Sequence, residues 1–324
     1  MNPTIIAVAS GKGGVGKSLI TANLAIALAD MGYRTIAVDL DLGGSNLHSY
    51  LGLPNHYPGV GDYLLSKTET LESLVVATGI ENLGFIPGDA RTPCMANISF
   101  SEKIRLLLSI KWLKADYILL DLGGGSEFNT LDFFAVARHS LLVTTPEYPA
   151  IMNLLTFLRN FLFRAFDREL KKFPAAWEQL HHFRSLPTRA GQLTIPMMIE
   201  RLGVTDRNAA VAARNLLERY QPRIVYNLCL LPEQLGICHK LNETSRATLA
   251  MSLSHFGSLF EDRHAREATY RSVPLLRHYP ESTFARRVQK IALDITDKWD
   301  DVTAFGADAL IEETTLYYQQ LKSL

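Results

Sequence analysis

Residues 11–18 read Gly11-Lys12-Gly13-Gly14-Val15-Gly16-Lys17-Ser18. This stretch fits the pattern G-x-x-x-x-G-K-[ST], in which the backbone N–H groups of a glycine-rich loop surround nucleotide phosphates. Residues 5–9 are a short apolar run typical of a strand, and residues 19–29 carry apolar side chains at helical spacing. A helix that starts after such a loop presents unpaired N–H groups and the positive end of its dipole to an anion. The stretch therefore predicts a phosphate-binding loop (P-loop) between a strand and a helix.

Two side chains at the end of the loop have specific roles in this prediction. Lys17 is expected to reach the β- and γ-phosphates of a nucleotide, and the Ser18 hydroxyl is expected to bind Mg²⁺. Leu19, which opens the predicted helix, completes the nucleotide-binding set of residues 11–19. The alternative is an accidental glycine-rich turn, and the strand and helix on either side argue against it.

Carboxylates follow two more apolar runs. Residues 34–40 predict a buried strand that brings Asp39 and Asp41 beside the P-loop, and residues 117–120 predict a strand that ends at Asp121. One carboxylate near a metal and another that orients the attacking water suit phosphoryl chemistry. We predict that Asp121 serves the Mg²⁺ shell and that Asp39 supports it as a metal residue. A strand that merely ends in an Asp-Gly turn is the alternative for Asp39 and Asp41.

The early lysine of the loop, Lys12, makes residues 11–18 resemble the deviant Walker A motif of the MinD/ParA family of SIMIBI-class NTPases. The resemblance implies that Lys12 reaches across a dimer interface to the partner's ATP, which gives it a catalytic role together with Lys17. Residues 39–46 resemble the family's D-x-D-x-G-x-x-N element, and the matching position assigns the water-polarising aspartate to Asp41. A solvated loop charge is the alternative for Lys12.

The resemblance extends over most of residues 4–155 and 222–295. Residues 121–125 (Asp-Leu-Gly-Gly-Gly) are a variant of the family's D-x-P-A-G or D-x-G-A-G. Glu147 stands in the family's T-x-P-E-P turn, with Tyr148 inserted between the glutamate and the second proline. Glu147 is expected either to report the nucleotide state at a dimer face or to cap the next helix. By the same resemblance, Asn227 at the end of a predicted strand reads adenine through paired amide hydrogen bonds, unless it only satisfies neighbouring backbone groups.

The expected fold is α/β: a doubly wound, mainly parallel sheet with flanking helices, in a single P-loop ATPase domain over residues 1–324. Residues 159–223 are predicted to be a helical insertion, and residues 300–324 a C-terminal helix. Three other helices are predicted at residues 101–114, 131–137 and 282–295. The first should have one apolar face, made of Ile104, Leu107, Leu108 and Trp112, with Lys103 and other charged residues mostly off it. The last should turn Phe284, Val288, Ile291 and Ile295 inward.

Charge and composition narrow the choice of partners. The chain has 33 basic and 33 acidic residues, so net charge gives no indication of nucleic acid as a partner, and nucleic acid is not favoured. Residues 159–223, however, hold twelve basic and six acidic residues, interleaved with phenylalanines. Such a helix can lie on a membrane surface, bind a partner protein, or pack on the sheet with a solvated charged face. The C-terminal tail is acidic, unlike the basic helix with which MinD-like proteins hold membranes, so a docked helix is expected there.

The three cysteines form no C-x-x-C pair, which argues against a zinc or iron–sulfur site. No run of about 18 apolar residues is present in the sequence, and no signal peptide is recognised. We therefore expect a cytoplasmic protein, with peripheral contact at the inner membrane surface left as an alternative.

The resemblance implies a Mg²⁺-dependent ATPase that uses ATP and ADP and forms a homodimer around two ATP molecules. Turnover should be slow without an unidentified protein partner, and the switch should serve spatial positioning or regulation. Within the family, the chain looks closest to the FlhG/FleN branch, which regulates flagellar number and placement. The alternatives are a biosynthetic ATP-dependent ligase or kinase, a metal-cluster carrier, or an ATPase of DNA partition.

Overall fold

The apolar runs of the sequence lie side by side in one sheet. The computed structural model describes residues 3–65, 70–88, 98–137, 139–185 and 194–323. Within these residues the sheet has eight strands, in chain order β1 Thr4–Ser10, β2 Thr35–Leu40, β3 Val76–Ala77, β4 Leu83–Ile86, β5 Tyr117–Gly124, β6 His139–Thr144, β7 Arg223–Cys229 and β8 Ser254–Phe260. Their order across the sheet is β3-β4-β2-β5-β1-β6-β7-β8, and only the pairing of β3 with β4 is antiparallel.

Helices cover both faces of this sheet. Those described are α1 Lys17–Asp30, α2 Leu47–Tyr50, α3 Val60–Leu65, α4 Phe100–Lys111, α5 Phe128–Phe134, α6 Tyr148–Leu170, α7 Pro174–Ser185, α8 Ile195–Thr205, α9 Arg207–Arg219, α10 Ile237–Leu249, α11 Arg263–Arg271, α12 Leu275–His278, α13 Thr283–Asp297 and α14 Ala307–Lys322. Because successive strand residues point to opposite faces, β1 sends Ile6 and Val8 toward α1 and α13, and Ile5 and Ala7 toward the other layer. The predicted doubly wound, mainly parallel α/β fold is confirmed.

The predicted helix at residues 101–114 is present as α4, but its predicted inner face is wrong. Ile104, Leu108 and Trp112 are exposed, by 79% in the case of Trp112. The buried side chains of this helix are Lys103, Leu106, Leu107 and Ile110. Lys103 is drawn inward because its ammonium group meets the buried carboxylate of Asp132. Leu106, Leu107 and Ile110 form a second apolar stripe at helical spacing, and Lys103 continues this buried stripe one turn earlier, beside Asp132.

For two other helices the structure agrees more closely with the prediction. The helix expected at residues 131–137 begins earlier, as α5 at Phe128, and ends at Phe134. The helix at residues 282–295 is confirmed as α13, with the four predicted inward residues all buried: Phe284, Val288, Ile291 and Ile295.

The segment of residues 159–223 is helical where it is described. It begins inside α6 and continues through α7, α8 and α9 to the first residue of β7, while residues 186–193 lie outside the described residues. Phe157, Phe161 and Phe166 are buried, and α7 to α9 add their apolar faces to the same core cluster as the sheet. These aromatic side chains are core residues. That the segment is an insertion within the domain stays a prediction.

The C-terminal helix α14 packs on the edge strand β8. Leu310 is buried, and Thr314 shares a 2.8 Å hydrogen bond with Ser258 of β8 through their hydroxyl groups. The rings of Tyr317 and Tyr318 lie beside Phe260. This is the docked helix expected from its acidic composition. None of the described helices combines the length and the apolar character that crossing a membrane requires.

Candidate functional site

The P-loop runs from the end of β1 to the start of α1. Gly14 and Gly16 have φ values of 80° and 86°, a conformation that glycine adopts at no steric cost. Gly16 is the N-cap residue of α1, and no side chain caps the helix there. The first-turn N–H groups of α1 are thus directed at the loop, which is the arrangement that binds a phosphate.

Lys17 and Asp121 meet beneath this loop. The Nζ of Lys17 donates to Oδ1 of Asp121 at 2.7 Å, and the hydroxyl of Thr21 donates to the same oxygen at 3.0 Å. All three side chains are buried, and Oδ2 of Asp121 has no hydrogen-bond partner in the described part of the chain. Lys17 also lies 3.2 Å from the hydroxyl of Ser18. The site therefore holds a cation, a hydroxyl and a carboxylate oxygen with unused acceptor capacity.

Asp39 lies opposite Asp121 in the register of the parallel strands β2 and β5. Its Oδ1 accepts from the backbone N–H of Asp41, and its Oδ2 accepts from the Ser45 hydroxyl and the Leu47 N–H. Burial and the nearby charge of Asp121 raise the pKa of Asp39 to about 7. As placed, this carboxylate holds the turn that carries Asp41. Its role as a metal residue stays a prediction.

Asp41 is half-buried and faces the glycines that follow Asp121. A β-carbon placed on Gly123 would lie 3.5 Å from Oδ1 of Asp41, and one placed on Gly124 would lie 3.0 Å from the N of Gly13. The P-loop, the turn after β2 and the glycine loop after β5 therefore converge. In the described ranges the Asp41 carboxylate makes no hydrogen bond or ion pair, which leaves it available for a water molecule.

Lys12 lies at the outer edge of the loop, with its Nζ 3.6 Å from Oε2 of Glu147. Both side chains are partly exposed, by 34% and 65% respectively. Glu147 is the N-cap residue of α6, but its side chain makes no capping hydrogen bond. The Thr145 hydroxyl donates to the same carboxylate at 3.4 Å. Of the two roles expected for Glu147, helix capping is not the one it performs here.

Asn227 of β7 supports the P-loop from below. Its Nδ2 donates to the carbonyl oxygen of Val15 at 2.9 Å, while Oδ1 has no partner among the described residues. A β-carbon placed on Gly16 would lie 2.2 Å from that Nδ2, so glycine is required there for both its φ and its close approach. The adenine contact of Asn227 stays a prediction.

Sequence analysis did not predict every residue of the site. Thr21 was missed, although its position four residues after Lys17 places it on the same face of α1. That spacing could have predicted its contact with Asp121. Ser45 was also missed, and no pattern in the sequence pointed to its hydrogen bond with Asp39. Gly11 was predicted as a nucleotide-binding residue, and it also packs on α6: a β-carbon there would lie 2.4 Å from the carbonyl carbon of Asn153.

The residues fit the predicted Mg²⁺. Ser18 and the unpartnered oxygen of Asp121 are the hydroxyl and carboxylate ligands that this hard cation takes. Over the residues that the structure describes, no three His, Cys, Asp or Glu side chains cluster as a metal site. A bound Mg²⁺ would therefore take its remaining ligands from nucleotide phosphates and water, as Mg²⁺ commonly does.

Known proteins are similar to this chain in sequence mainly over its first half. The ParA family model, described as NUBPL iron-transfer P-loop NTPase, matches residues 2–156. The septum site-determining protein MinD of Helicobacter pylori is 36% identical over 150 residues, which are 46% of this chain and 55% of that protein. The chain thus spans about half the length of the curated relatives it matches.

Solved structures are similar over more of the chain. MinD of Pyrococcus horikoshii, complexed with Mg-ADP, covers 93% of this chain and 98% of its own with a TM-score of 0.57 and 22% identity. A chain of the MinC:MinD cell division protein complex of Aquifex aeolicus covers 91% of this chain and 96% of its own, with a TM-score of 0.58 and 20% identity. At these identities the likeness establishes the fold alone.

Proposed function

We propose, from the premise that residues 2–156 belong to the ParA family of P-loop NTPases, that this protein is a Mg²⁺-dependent ATPase. In this proposal ATP drives the formation of a homodimer, and the dimer serves spatial positioning or regulation. The observation that carries the proposal is the convergence of Lys17, Asp121 and Asp41 on one glycine-rich loop.

The residues divide the work of hydrolysis between them. The N–H groups of residues 11–18 and the α1 terminus bind the phosphates, which compete with Asp121 for the ammonium group of Lys17. Asp121 and Ser18 would hold Mg²⁺, which would supply charge neutralisation for the nucleotide phosphates. Asp41 accepts a hydrogen bond from the attacking water and orients it in line with the bond that breaks.

The turn that carries Asp41 is positioned by Asp39. Two backbone N–H groups and the Ser45 hydroxyl tie that turn to the buried carboxylate, so Asp41 is held on a fixed anchor. The glycines at 123–125 let the chain approach the γ-phosphate closely and move when it leaves. This loop leads directly into α5, so a movement of the loop when the γ-phosphate leaves would also move α5 at the surface of the molecule.

Dimerisation is assigned to Lys12. The exposed Lys12–Glu147 pair is of a kind that contributes at most about 1 kcal/mol, so Lys12 can leave Glu147 for the phosphates of a partner's ATP at small cost. Two subunits that share ATP in this way separate after hydrolysis. A protein partner that recognises the dimer is part of the proposal, and we retain the FlhG/FleN branch as our prediction.

The experiment is a solution-mass measurement with Mg·ATP and with Mg·ADP. Asp41→Ala is the background, because it should block hydrolysis during the run. We expect a dimer in Mg·ATP and a monomer in Mg·ADP, and we expect Lys12→Ala on this background to stay monomeric while it still binds nucleotide. Lys111→Ala is the matched control, since it removes an exposed lysine of α4 that lies outside the loop and should leave the ATP dimer intact.

Two results would oppose the proposal. A mass that does not respond to nucleotide would exclude the dimerisation switch and favour a ligase-like or kinase-like enzyme. Equal dimerisation by Lys12→Ala would show that Lys12 has no role across the interface, even if ATP binding is retained.

A further inference from the structure

A cavity of about 240 Å³ lies between α5, α6 and α7, and none of its lining residues belongs to the nucleotide site. We call it the α5–α7 cavity. Among the residues that the structure describes, its walls combine arginines with phenylalanine rings and one carboxylate. They are formed by Phe128, Leu131, Arg159, Asn160, Phe163, Arg164, Asp167, Phe183 and Arg184. Such a mixture of cationic and aromatic walls is unusual on a surface that only faces water, where large apolar side chains are scattered singly.

The positive charge of the cavity is not balanced within it. Asp167 is already engaged, because its Oδ1 lies 3.1 Å from Nε1 of Trp177 and 2.9 Å from Nε2 of His181. Arg159 and Arg184 are exposed, and neither has an ion-pair or hydrogen-bond partner among the described residues. Two guanidinium groups are therefore free to meet an anion at the cavity.

The third arginine of the cavity is fixed in place. Arg164 donates to the buried carboxylate of Asp132 through Nε at 2.9 Å and through a terminal nitrogen at 3.1 Å. Lys103 and Arg168 meet the same carboxylate, so three cations surround one anion. This excess of positive charge adds to the field in which Arg159 and Arg184 lie.

Aromatic rings form the apolar part of the walls. Phe128 is 64% exposed, and the guanidinium of Arg164 lies 4.8 Å from its ring centroid. The rings of Phe163 and Phe183 lie 6.2 Å apart, and Arg201 approaches the second of them at 5.9 Å. Aromatic rings and arginines together are typical of the small pockets that anchor a protein partner.

We propose that the α5–α7 cavity binds an acidic segment of a partner protein. One apolar side chain of that segment enters between Phe128, Phe163 and Phe183, and a neighbouring carboxylate pairs with Arg159 and Arg184. A phosphate group or a lipid headgroup would satisfy the arginines but would leave the rings without a partner. A cavity of about 240 Å³ suits one side chain rather than a flat membrane or a nucleic acid backbone. This assignment goes beyond the ATPase and does not depend on hydrolysis.

The test uses the full chain with Mg·ADP, so that a failure of the proposed dimer switch cannot affect it. The probe is a fluorescent acetylated peptide, Glu-Phe-Glu-Leu-Glu-Phe-Glu, and its counterpart has glutamine at every glutamate. Fluorescence anisotropy should show the acidic peptide binding wild type at least tenfold more tightly than the glutamine peptide. The Arg159→Ala/Arg184→Ala double variant should bind the acidic peptide at least tenfold more weakly than wild type.

Two further variants separate the cavity from general charge and from misfolding. Arg246→Ala removes an exposed arginine of α10 and should bind like wild type, whereas Arg159→Lys/Arg184→Lys keeps the charge and should recover part of the affinity. The proposal would be overturned if wild type does not bind the acidic peptide, or if the double alanine variant binds it equally. It would also be overturned if vesicles containing phosphatidylglycerol, or inorganic phosphate, bind these arginines while the peptide does not.

Discussion

The ammonium nitrogen of Lys17 lies 2.7 Å from Oδ1 of Asp121, and both side chains are buried. The two residues are 104 positions apart in the chain. The parallel pairing of β1 with β5 brings them together, because Ser10 pairs with Gly124 near the carboxyl ends of these strands. Removing one partner of such a buried ion pair destabilises the folded protein, because the other charge is left buried without a counter-charge.

Asp121→Asn should therefore destabilise the nucleotide-free protein by about 3 kcal/mol, because Lys17 would be buried without a counter-charge. Urea denaturation without nucleotide measures this loss. Added ATP should restore part of the stability, since phosphates replace the missing charge beside Lys17. Unchanged stability would mean that Lys17 does not depend on this carboxylate.

The loop glycines give a matched pair of substitutions. Gly16→Ala places a methyl group at a φ of 86° and 2.2 Å from Nδ2 of Asn227, so we expect a loss of about 2 kcal/mol or more. Gly13→Ala meets no atom of the described chain within 4 Å and should change the free energy of unfolding by less than about 0.5 kcal/mol. Thermal and urea unfolding without nucleotide compare the two, and equal effects would contradict the geometry described here.

The carboxylate of Asp132 should be as important to stability as the nucleotide site. Burial alone would raise its pKa, but hydrogen bonds from Arg164 and Lys103 and the charge of Arg168 hold the pKa below its usual value. Asp132→Asn should cost about 3–5 kcal/mol, since Lys103 loses its counter-charge inside the protein.

Asp116→Asn is the control for this substitution. Asp116 pairs with Arg34 at the surface, where water and salt screen the charges and such a pair contributes little to stability. The two free energies of unfolding, measured in urea at the same pH, should differ clearly. If both substitutions lower the free energy of unfolding by a similar amount, the ammonium group of Lys103 must be solvated in another way when residue 132 is neutral.

Stability should depend on pH through His255. Burial and the charge of His239 lower the pKa of His255 to about 4, whereas an unfolded histidine has a pKa of about 6.5. Between these values the unfolded chain binds a proton that the folded chain does not, so stability falls as pH drops from about 6.5 to 4. The contribution at stake is about 3 kcal/mol.

His255→Asn tests this dependence. Asparagine retains an acceptor for the Tyr226 hydroxyl, which contacts Nδ1 at 2.8 Å, but it cannot take up a proton. The variant should lose less stability between pH 6.5 and 4 than wild type, while the exposed control His278→Asn should keep the wild-type slope. A slope unchanged in His255→Asn would assign the acid sensitivity to other groups.

Local patterns were enough to predict the elements around the P-loop. The glycines, the strand before them and the helix after them are neighbours in sequence, so their geometry follows from backbone conformation and short-range periodicity. The strands that end in Asp39 and Asp121 were predicted for the same reason, since each is a continuous apolar run buried on both faces.

Periodicity failed at α4 for a specific reason. Two stripes at helical spacing are present in α4, and the buried one holds Leu106, Leu107 and Ile110 together with Lys103. A lysine in that stripe makes it look like an outer face, because its partner Asp132 lies elsewhere in the chain. Thr314 is a similar case: it interrupts the apolar stripe of α14, yet it is fully buried because Ser258 offers it a hydrogen bond. Neither partner is close to these residues in the chain.

The sequence by itself determined the P-loop and the strands that carry its carboxylates, because each depends on residues within a few positions of one another. The doubly wound fold was predicted from the family resemblance of these motifs. The tertiary structure alone decided which groups meet: Lys17 with Asp121, Lys12 with Glu147, and Asn227 with the carbonyl of Val15. These contacts join strands and loops that are far apart in the chain. The energy of a buried charge or amide depends on the partner that folding supplies, and a one-dimensional pattern does not contain that partner.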